Sequence, residues 1–166
     1  MTAVSNAGPL IHFAQIGRLF LLKDIFGRII LPSLVKVEVV DAGKKLGKPD
    51  AFLIEGEIGR WIEVCDNPGG VEEIASRAGI HAGEAAAILV AREKGLPVLL
   101  DDIAARRFAA GLRLEIAGSV GVLIKAVKMG LIAKNEAVES LESLSEVMWM
   151  NAVVFERARR VIESME

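Results

Sequence analysis

Five oxygen-bearing side chains of the 166-residue chain stand at the ends of predicted strands or near the starts of predicted helices: Asn6, Glu38, Glu84, Asp101 and Asp102. Carboxylates packed together repel and raise one another's pKa, and a divalent cation is the simplest way to keep them ionised. Oxygen donors select Mg²⁺ or Mn²⁺ over Zn²⁺. Because such an ion orients water and lowers its pKa, this donor set predicts phosphodiester hydrolysis with all five residues catalytic. Its predicted ligands are Asn6, Glu84, Asp101 and Asp102.

The elements that must position these residues alternate between strands and helices along the whole chain. Apolar runs and turn signals predict strands over 2–5, 28–31, 61–65, 97–100 and 112–116, with helices between them. This alternation predicts an α/β fold, a three-layer α/β/α sandwich with a central parallel sheet. In such a sheet the functional crevice lies outside the carboxyl ends of the strands, where Asn6 and Asp101 follow their strands.

Glu84 and Glu38 are predicted to reach the same edge. The helix that begins near Glu84 runs roughly 16 Å, and the strand after it runs back roughly 17 Å, so Glu84 and Asp101 share one edge. Glu38 lies in the second turn of a helix over 34–42 that is apolar on nearly every side, which predicts burial. A buried carboxylate needs a partner. All five side chains are therefore expected in one pocket.

Four of these residues also have a purely structural interpretation, and Glu38 is the hardest to explain in that way. Glu84 would complement the helix macrodipole, and Asp101 and Asp102 would cap the helix that follows them. Asp102 and Arg106, four positions apart, would form a surface ion pair. Asn6 would stabilise the turn before Pro9. The coincidence of all five at one edge favours a functional site.

Charge and composition limit the partners. The chain has 20 Lys and Arg against 22 Asp and Glu, a net charge of −2, which excludes binding nucleic acid by bulk charge but allows a local basic patch. Two Trp, six Phe and no Tyr disfavour an aromatic base-stacking platform. The segment 148–150 (Met-Trp-Met) is predicted to pack in the core. The basic residues expected to guide a phosphodiester backbone are Lys36, Lys44, Lys45, Lys48, Arg106 and Arg107.

The remaining chemistry-bearing residues are few. One cysteine, Cys65, excludes an intrachain disulfide framework and fits a reducing compartment. His12 and His81 have no neighbours at metal-ligand spacing, and His81 is predicted to begin a helix. No apolar run of spanning length and no charged leader are found, so we expect a cytoplasmic protein without a membrane segment.

Five segments of the sequence resemble, in order, the motifs of PIN domains of the VapC-like kind: 4–11 (VSNAGPLI), 31–38 (LPSLVKVE), 83–88 (GEAAAI), 100–106 (LDDIAAR) and 118–123 (GSVGVL). The resemblance extends from residue 4 to about residue 132. It implies an α/β/α fold and a Mg²⁺- or Mn²⁺-dependent ribonuclease. It also implies the toxin of a toxin–antitoxin pair, with an antitoxin protein as partner, and a homodimer.

The resemblance also implies roles for single residues. Asn6, Glu38, Glu84 and either Asp101 or Asp102 match the acidic quartet of the family. Arg106 matches its arginine and Ser119 its hydroxyl position, and these two with Lys36 are the expected substrate-binding residues. Asn6 departs from the family, where this position is typically Asp, and a neutral amide lowers metal affinity.

Two questions of organisation and activity stay open. The expected division is a PIN core over 1–132 and a helical extension over 133–166 packed on the same domain. The alternative to an active nuclease is a catalytically weak or inactive PIN-like module that binds RNA or a protein partner. A phosphate-handling α/β enzyme or receiver-type domain is disfavoured because no Gly-rich phosphate loop is present and the Asp pair comes late in the chain.

Overall fold

A computed structural model describes all 166 residues. Five parallel strands form one sheet in the order β3-β2-β1-β4-β5. The strands are β1 (Thr2–Ser5), β2 (Arg28–Pro32), β3 (Ile62–Cys65), β4 (Val98–Leu99) and β5 (Ile116–Ala117). Four of the predicted strands are present, although β4 has only two residues. The fifth, predicted over 112–116, is shifted: β5 also has two residues and shares only Ile116 with the prediction, because residues 112–113 form the turn that ends the preceding helix.

Helices cover both faces of the sheet. They are α1 (Ala7–Gln15), α2 (Phe20–Phe26), α3 (Ser33–Lys36), a π-helical segment (Val37–Ala42), α4 (Gly43–Lys45), α5 (Pro49–Glu57), α6 (Val71–Ala78), α7 (Ala82–Lys94), α8 (Ile103–Gly111), α9 (Ser119–Lys128), α10 (Lys134–Val147) and α11 (Ala152–Ser164). The predicted helices are present, most with bounds shifted by one or two residues.

Alternation of side chains along the strands divides the core into two layers. Ala3 of β1 and Leu99 of β4 belong to a 27-residue cluster under α1, α2, α9, α10 and α11. Val4 and Val98, their sequence neighbours, belong to a second cluster with α7 and α8. The sheet is therefore buried between two helical layers, and the predicted three-layer α/β/α sandwich is confirmed.

The helical stretch that carries Glu38 differs from its prediction. Val35, Val39 and Val40 are buried, but Val37 is 50% exposed and Glu38 is exposed as well. The expectation that this stretch is buried on nearly every side is wrong, because only one of its faces packs on the core. Residues 37–42 adopt π-helical geometry, a local widening that is frequent at functional sites.

The last two helices contribute to the larger cluster. Ala137, Leu141 and Leu144 of α10 and Ala158 and Ile162 of α11 are buried in it. The extension over 133–166 thus shares a core with the sheet. No helix of the chain has the length and apolar character needed to cross a membrane.

Candidate functional site

The first candidate residue, Asn6, follows the central strand at the point where the sheet changes direction. The chain builds β2 and β3 on one side of β1 and then returns to place β4 and β5 on the other. Ligands of open α/β sheets bind at such a switch point. The Asn6 backbone N–H donates to the Leu99 carbonyl at 3.1 Å, which fixes the residue between the ends of β1 and β4.

The amide of Asn6 has no structural task. Its side chain makes no capping hydrogen bond to α1. The residue is 7% exposed, and its Oδ1 is buried without a hydrogen-bond partner. Because buried polar atoms nearly always have a hydrogen-bond partner, an unpaired oxygen atom at a switch point indicates a position that binds a ligand.

Asp101 follows β4 and is held by three hydrogen bonds. Its Oδ1 accepts the backbone N–H of Ser119 at 2.6 Å, and its Oδ2 accepts the Ser119 hydroxyl at 2.5 Å. His12 Nδ1 lies 2.8 Å from the same Oδ2. Burial raises the pKa of Asp101, but the hydrogen bonds from His12 and Ser119 outweigh it and hold the pKa below its usual range. Asp101 is therefore an ionised carboxylate with fixed geometry.

Glu38 and Glu84 form a separate acidic pair. Glu84 is 6% exposed, and its Oε2 accepts the backbone N–H of His81 at 2.9 Å, so it also caps α7. His81 begins this helix, as predicted. The Glu38 carboxylate lies against Gly83, so closely that a Cβ at Gly83 would collide with it. Although Glu38 is exposed as a residue, its carboxylate is partly desolvated where it lies against Gly83. This desolvation raises the pKa of Glu38, the Glu84 charge raises it further, and His81 opposes both.

Asp102 and Arg106 do not form the expected ion pair with each other, because each has another hydrogen-bond partner. Asp102 is exposed, and its Oδ1 accepts the Ala105 backbone N–H at 2.8 Å, which makes it the N-cap of α8. Arg106 is exposed and forms no ion pair; its Nη1 donates to the Leu100 carbonyl at 3.3 Å. The capping interpretation of Asp102 is therefore confirmed, and the interpretation of Asp102 and Arg106 as a surface ion pair is wrong.

The five side chains expected in one pocket have different hydrogen-bond and charge partners in the structure. No three histidine, cysteine, aspartate or glutamate side chains lie close enough to form a metal-binding group. Glu38 and Glu84 form one pair, and Asp101 is engaged with His12 and Ser119. Asn6 lies on the central strand, between the strand that leads to Glu38 and the strand that precedes Asp101.

The basic residues differ in whether an acidic side chain already pairs with their charge. Lys36 is bound to Asp41 at 2.8 Å, and Lys44 to Glu55 at 2.7 Å. The other residues of the expected RNA-guiding set are exposed and form no ion pairs; these are Lys45, Lys48, Arg106 and Arg107. The unpaired cations are the better candidates for contacts with a phosphate backbone.

Sequence reasoning missed His12. It was set aside because it has no histidine or acid at metal-ligand spacing, yet the fold places it against Asp101 and 3.5 Å from the Ser119 hydroxyl. No spacing in the sequence points to this contact, which forms because α1 packs beside the end of β4. On the same face of α1, one turn earlier, a Cβ at Gly8 would lie in ordinary contact with Asp101, 3.5 Å from Oδ2.

Sequence reasoning also misjudged Trp149. Met148 and Met150 are partly buried against the core, but Trp149 is 76% exposed, so the prediction of core packing is wrong for the tryptophan. The segment forms one wall of a groove that also contains Asp101 and Arg106.

Comparison with known proteins agrees with this architecture. The family model DUF3368, described as a PIN domain, matches residues 2–164. The chain belongs to the PIN-domain family. PIN domains are generally nucleases and typically use divalent metals, so this chain has a nuclease-type fold.

A solved structure shares this PIN-domain architecture at low sequence similarity. The crystal structure of PAE2754 from Pyrobaculum aerophilum superposes with a TM-score of 0.56 at 16% identity, covering 77% of this chain and 99% of that chain. Identity this low supports likeness of fold alone. No curated protein matches the chain.

Proposed function

We propose that this PIN domain is a Mg²⁺- or Mn²⁺-dependent endoribonuclease that hydrolyses RNA phosphodiester bonds at the carboxyl edge of its sheet. The observation that carries the proposal is the buried, unpartnered Oδ1 of Asn6 at the switch point. Its orphaned lone pairs, together with the Glu84 carboxylate and the Glu38 carboxylate whose pKa the Glu84 charge raises, form a donor set suited to a hard cation.

The residues present fit such an ion without a cluster of three acids. Mg²⁺ in phosphate-processing sites is commonly held by one or two carboxylates, with water and substrate oxygens completing the octahedron. The sequence predicts Asn6, Glu84, Asp101 and Asp102 as ligands. We propose instead that Glu38, Glu84 and Asn6 would hold the ion, because the oxygens of Asp101 and Asp102 accept hydrogen bonds within the fold. When bound, the ion lowers the pKa of a water and stabilises charge that develops on the phosphate.

The other site residues would position the substrate. Asp101 is anchored by His12 and Ser119, and it would hold the edge of the site rigid beside the ion. Arg106, whose guanidinium has no acidic partner, would bind a non-bridging phosphate oxygen. Lys45, Lys48 and Arg107 would supply sequence-independent contacts to the RNA backbone, and their number sets the salt dependence of binding.

A cleavage assay with matched variants tests the proposal. We expect the wild-type protein to cut single-stranded RNA in Mn²⁺, to stop in EDTA, and to leave DNA of the same sequence intact. Glu84→Gln retains an oxygen for the His81 N–H but removes the charge, so it should fold normally and lose activity. Glu115→Gln, an exposed acid without an ion pair, is the charge-matched control. Cleavage by the wild type in EDTA, or undiminished cleavage by Glu84→Gln in Mn²⁺, would contradict the proposal.

A catalytically weak or inactive module is the second candidate. Two observations favour it: the neutral amide of Asn6 replaces the Asp that is typical of the family, and no three acids converge. Calorimetric titration separates the candidates, since the inactive module predicts no heat of Mn²⁺ binding at millimolar concentration.

The biological setting follows from the resemblance to VapC-like toxins. We propose a cytoplasmic toxin that acts as a homodimer and is neutralised by an antitoxin protein. Induced expression of the wild type, but not of Glu84→Gln, should arrest growth. Light scattering should give twice the 17.8 kDa chain mass. Unimpaired growth, or a monomer at working concentration, would contradict the corresponding part.

A further inference from the structure

An apolar groove of about 570 Å³ opens beside Asp101 and Arg106. Its walls include α9 residues Val120 and Ile124 and the segment 148–151 between α10 and α11. We call it the Trp149 groove. Its volume lies within the range of pockets that hold small organic ligands, roughly 300–1,000 Å³.

The aromatic wall of the groove is unusually exposed. Trp149 is 76% exposed and Ile103 52%, while Met148 and Met150 on either side of the tryptophan are anchored against the core. The Trp149 ring is therefore held in place by its two neighbours, while its exposed face is available to stack against a flat, apolar group.

The charge at the mouth of the groove limits what that partner can be. Arg106 makes a single 3.3 Å hydrogen bond to a backbone carbonyl and no ion pair, so its positive charge is available to an anion. The only acidic lining residue, Asp101, already accepts three hydrogen bonds. An apolar slot with an aromatic face and a free guanidinium is complementary to a nucleotide: the base stacks and the phosphate pairs.

We propose that the Trp149 groove binds one unstacked base of a single-stranded RNA, adjacent to the phosphate that is cleaved. Arg106 lines the groove beside Asp101 and binds the phosphate that joins this base to the reacting one. The inference rests on the proposed ribonuclease function and specifies its substrate as unpaired RNA. The scarcity of aromatic residues disfavours an extended stacking platform, but one base requires only one ring.

Tryptophan fluorescence provides a direct test, because the chain has only two tryptophans. Trp61 is 7% exposed and its indole N–H donates to Glu57 at 2.6 Å, so an added ligand quenches chiefly Trp149. In EDTA, where RNA is not cut, we expect a single-stranded RNA oligomer to quench the emission. A matched oligomer without bases should leave it unchanged.

Variants measure how much the ring contributes. Trp149→Ala should weaken binding of the RNA oligomer by about 5- to 100-fold, the effect of one stacked base, and Trp149→Phe should restore most of it. Phe20→Ala is the matched control, because it removes another exposed ring, which is 45% exposed. This ring lies beside Arg60 and Trp61, the residues that lead into β3 at the opposite edge of the sheet. Thermal melts should be alike for all variants.

Four results would overturn the inference. Equal RNA affinities of the wild type and Trp149→Ala would remove the base site while leaving the ribonuclease function intact. Equal quenching by the oligomer without bases would show that only phosphate is recognised. A change in oligomeric state on Trp149→Ala, with RNA affinity unchanged, would assign the groove to a second copy of the chain. Failure of the wild type to bind RNA would overturn both proposals.

Discussion

His12 Nδ1 lies 2.8 Å from Asp101 Oδ2, although 89 positions separate the two residues in the sequence. With the Ser119 hydroxyl on the same oxygen, this contact joins the second half of α1, the end of β4 and the start of α9. Asp101 is therefore a junction between three elements as well as a member of the candidate site.

The acidic residues of the site are in opposite electrostatic situations. Hydrogen-bond donors surround Asp101 and keep its pKa low, so its charge is satisfied without a cation. Glu38 has no hydrogen-bond donor, and burial and the Glu84 charge keep its pKa high. Because a cation would relieve the glutamate pair far more than Asp101, metal-dependent stabilisation should come from the glutamates.

The hydroxyl of Ser119 should contribute measurable stability. Ser119→Ala removes a 2.5 Å hydrogen bond to a partly buried carboxylate, and hydrogen bonds to charged groups contribute about 1.5–3 kcal/mol. We expect the melting temperature to fall by roughly 3–12 °C at pH 7. Ser143→Ala, which removes a bond to a carbonyl within α10, is the control.

The pH dependence of this loss follows from the lowered pKa of Asp101. A carboxyl whose folded pKa is depressed contributes stability above its unfolded pKa of about 3.9, and the contribution disappears as the pH falls through the folded value. The difference in melting temperature between wild type and Ser119→Ala should narrow below about pH 4. A difference that stays constant from pH 3 to pH 8 would show that the Asp101 charge is not involved.

Glu38→Gln should stabilise the protein without metal. Burial and the Glu84 charge raise the pKa of Glu38, so its contribution is present below the unfolded pKa of about 4.3 and is lost as the pH rises through the folded value. Because Glu38 is exposed to screening, we expect a gain of about 1 °C at pH 7–8 and none near pH 4. Melts in EDTA across this range measure it.

Glu115→Gln supplies the charge-matched control for this measurement. Glu115 is exposed and unpaired, and its neutralisation should leave the melting temperature unchanged. An equal gain in both variants would mean that net charge, rather than the Glu38–Glu84 pair, is responsible. Mn²⁺ should reverse the order and stabilise the wild type more than Glu38→Gln.

Gly83 should keep space for the Glu38 carboxylate. Gly83→Ala adds a methyl group whose nearest neighbours are all atoms at the flexible end of Glu38, so the carboxylate must move. Since Ala favours helix over Gly by up to about 1 kcal/mol, the variant should be at least as stable as the wild type, while Mn²⁺ affinity falls about tenfold.

Gly56→Ala, at a helical position where an added Cβ meets nothing within 4 Å, separates the helix effect from the site effect. Calorimetry and melts on both variants decide the matter. Unchanged Mn²⁺ affinity in Gly83→Ala would exclude Glu38 from the cation site.

The sequence predicted the architecture of the edge because local signals were strong. Strand–helix alternation and turn residues located the ends of β1 and β4, and the helix start at Ala82 located Glu84. The parallel sheet then places their carboxyl ends at one edge. What pattern alone could not resolve was how side chains at that edge divide among partners.

His12 and Trp149 show where that reasoning stops. A single histidine gives no spacing signal, and its contact with Asp101 arises only when α1 packs beside β4 across the sheet. Trp149 lies between two methionines in an apolar run, which is typical of core segments, but the chain between α10 and α11 turns its ring outward. Both outcomes depend on long-range packing, which local periodicity does not encode.

Replacing the amide of Asn6 by a carboxylate tests the centre of the proposed site. Asn6 Oδ1 is buried and has no partner, so Asn6→Asp places a new charge at the switch point without removing a hydrogen bond. Beside a bound cation the charge should tighten Mn²⁺ affinity by about 1–3 kcal/mol, roughly one to two decades, at an effective dielectric constant near ~20. Without metal it adds a like charge to an acidic edge, so the variant should melt at a lower temperature in EDTA and recover in Mn²⁺.

If Asn6 only stabilises the turn before Pro9, the substitution should leave the melting temperature unchanged in both conditions, because Asp serves turns about as well as Asn. Titration of both proteins with Mn²⁺, alongside melts with and without EDTA, distinguishes the two, and equal affinities with equal melts would remove Asn6 from the site.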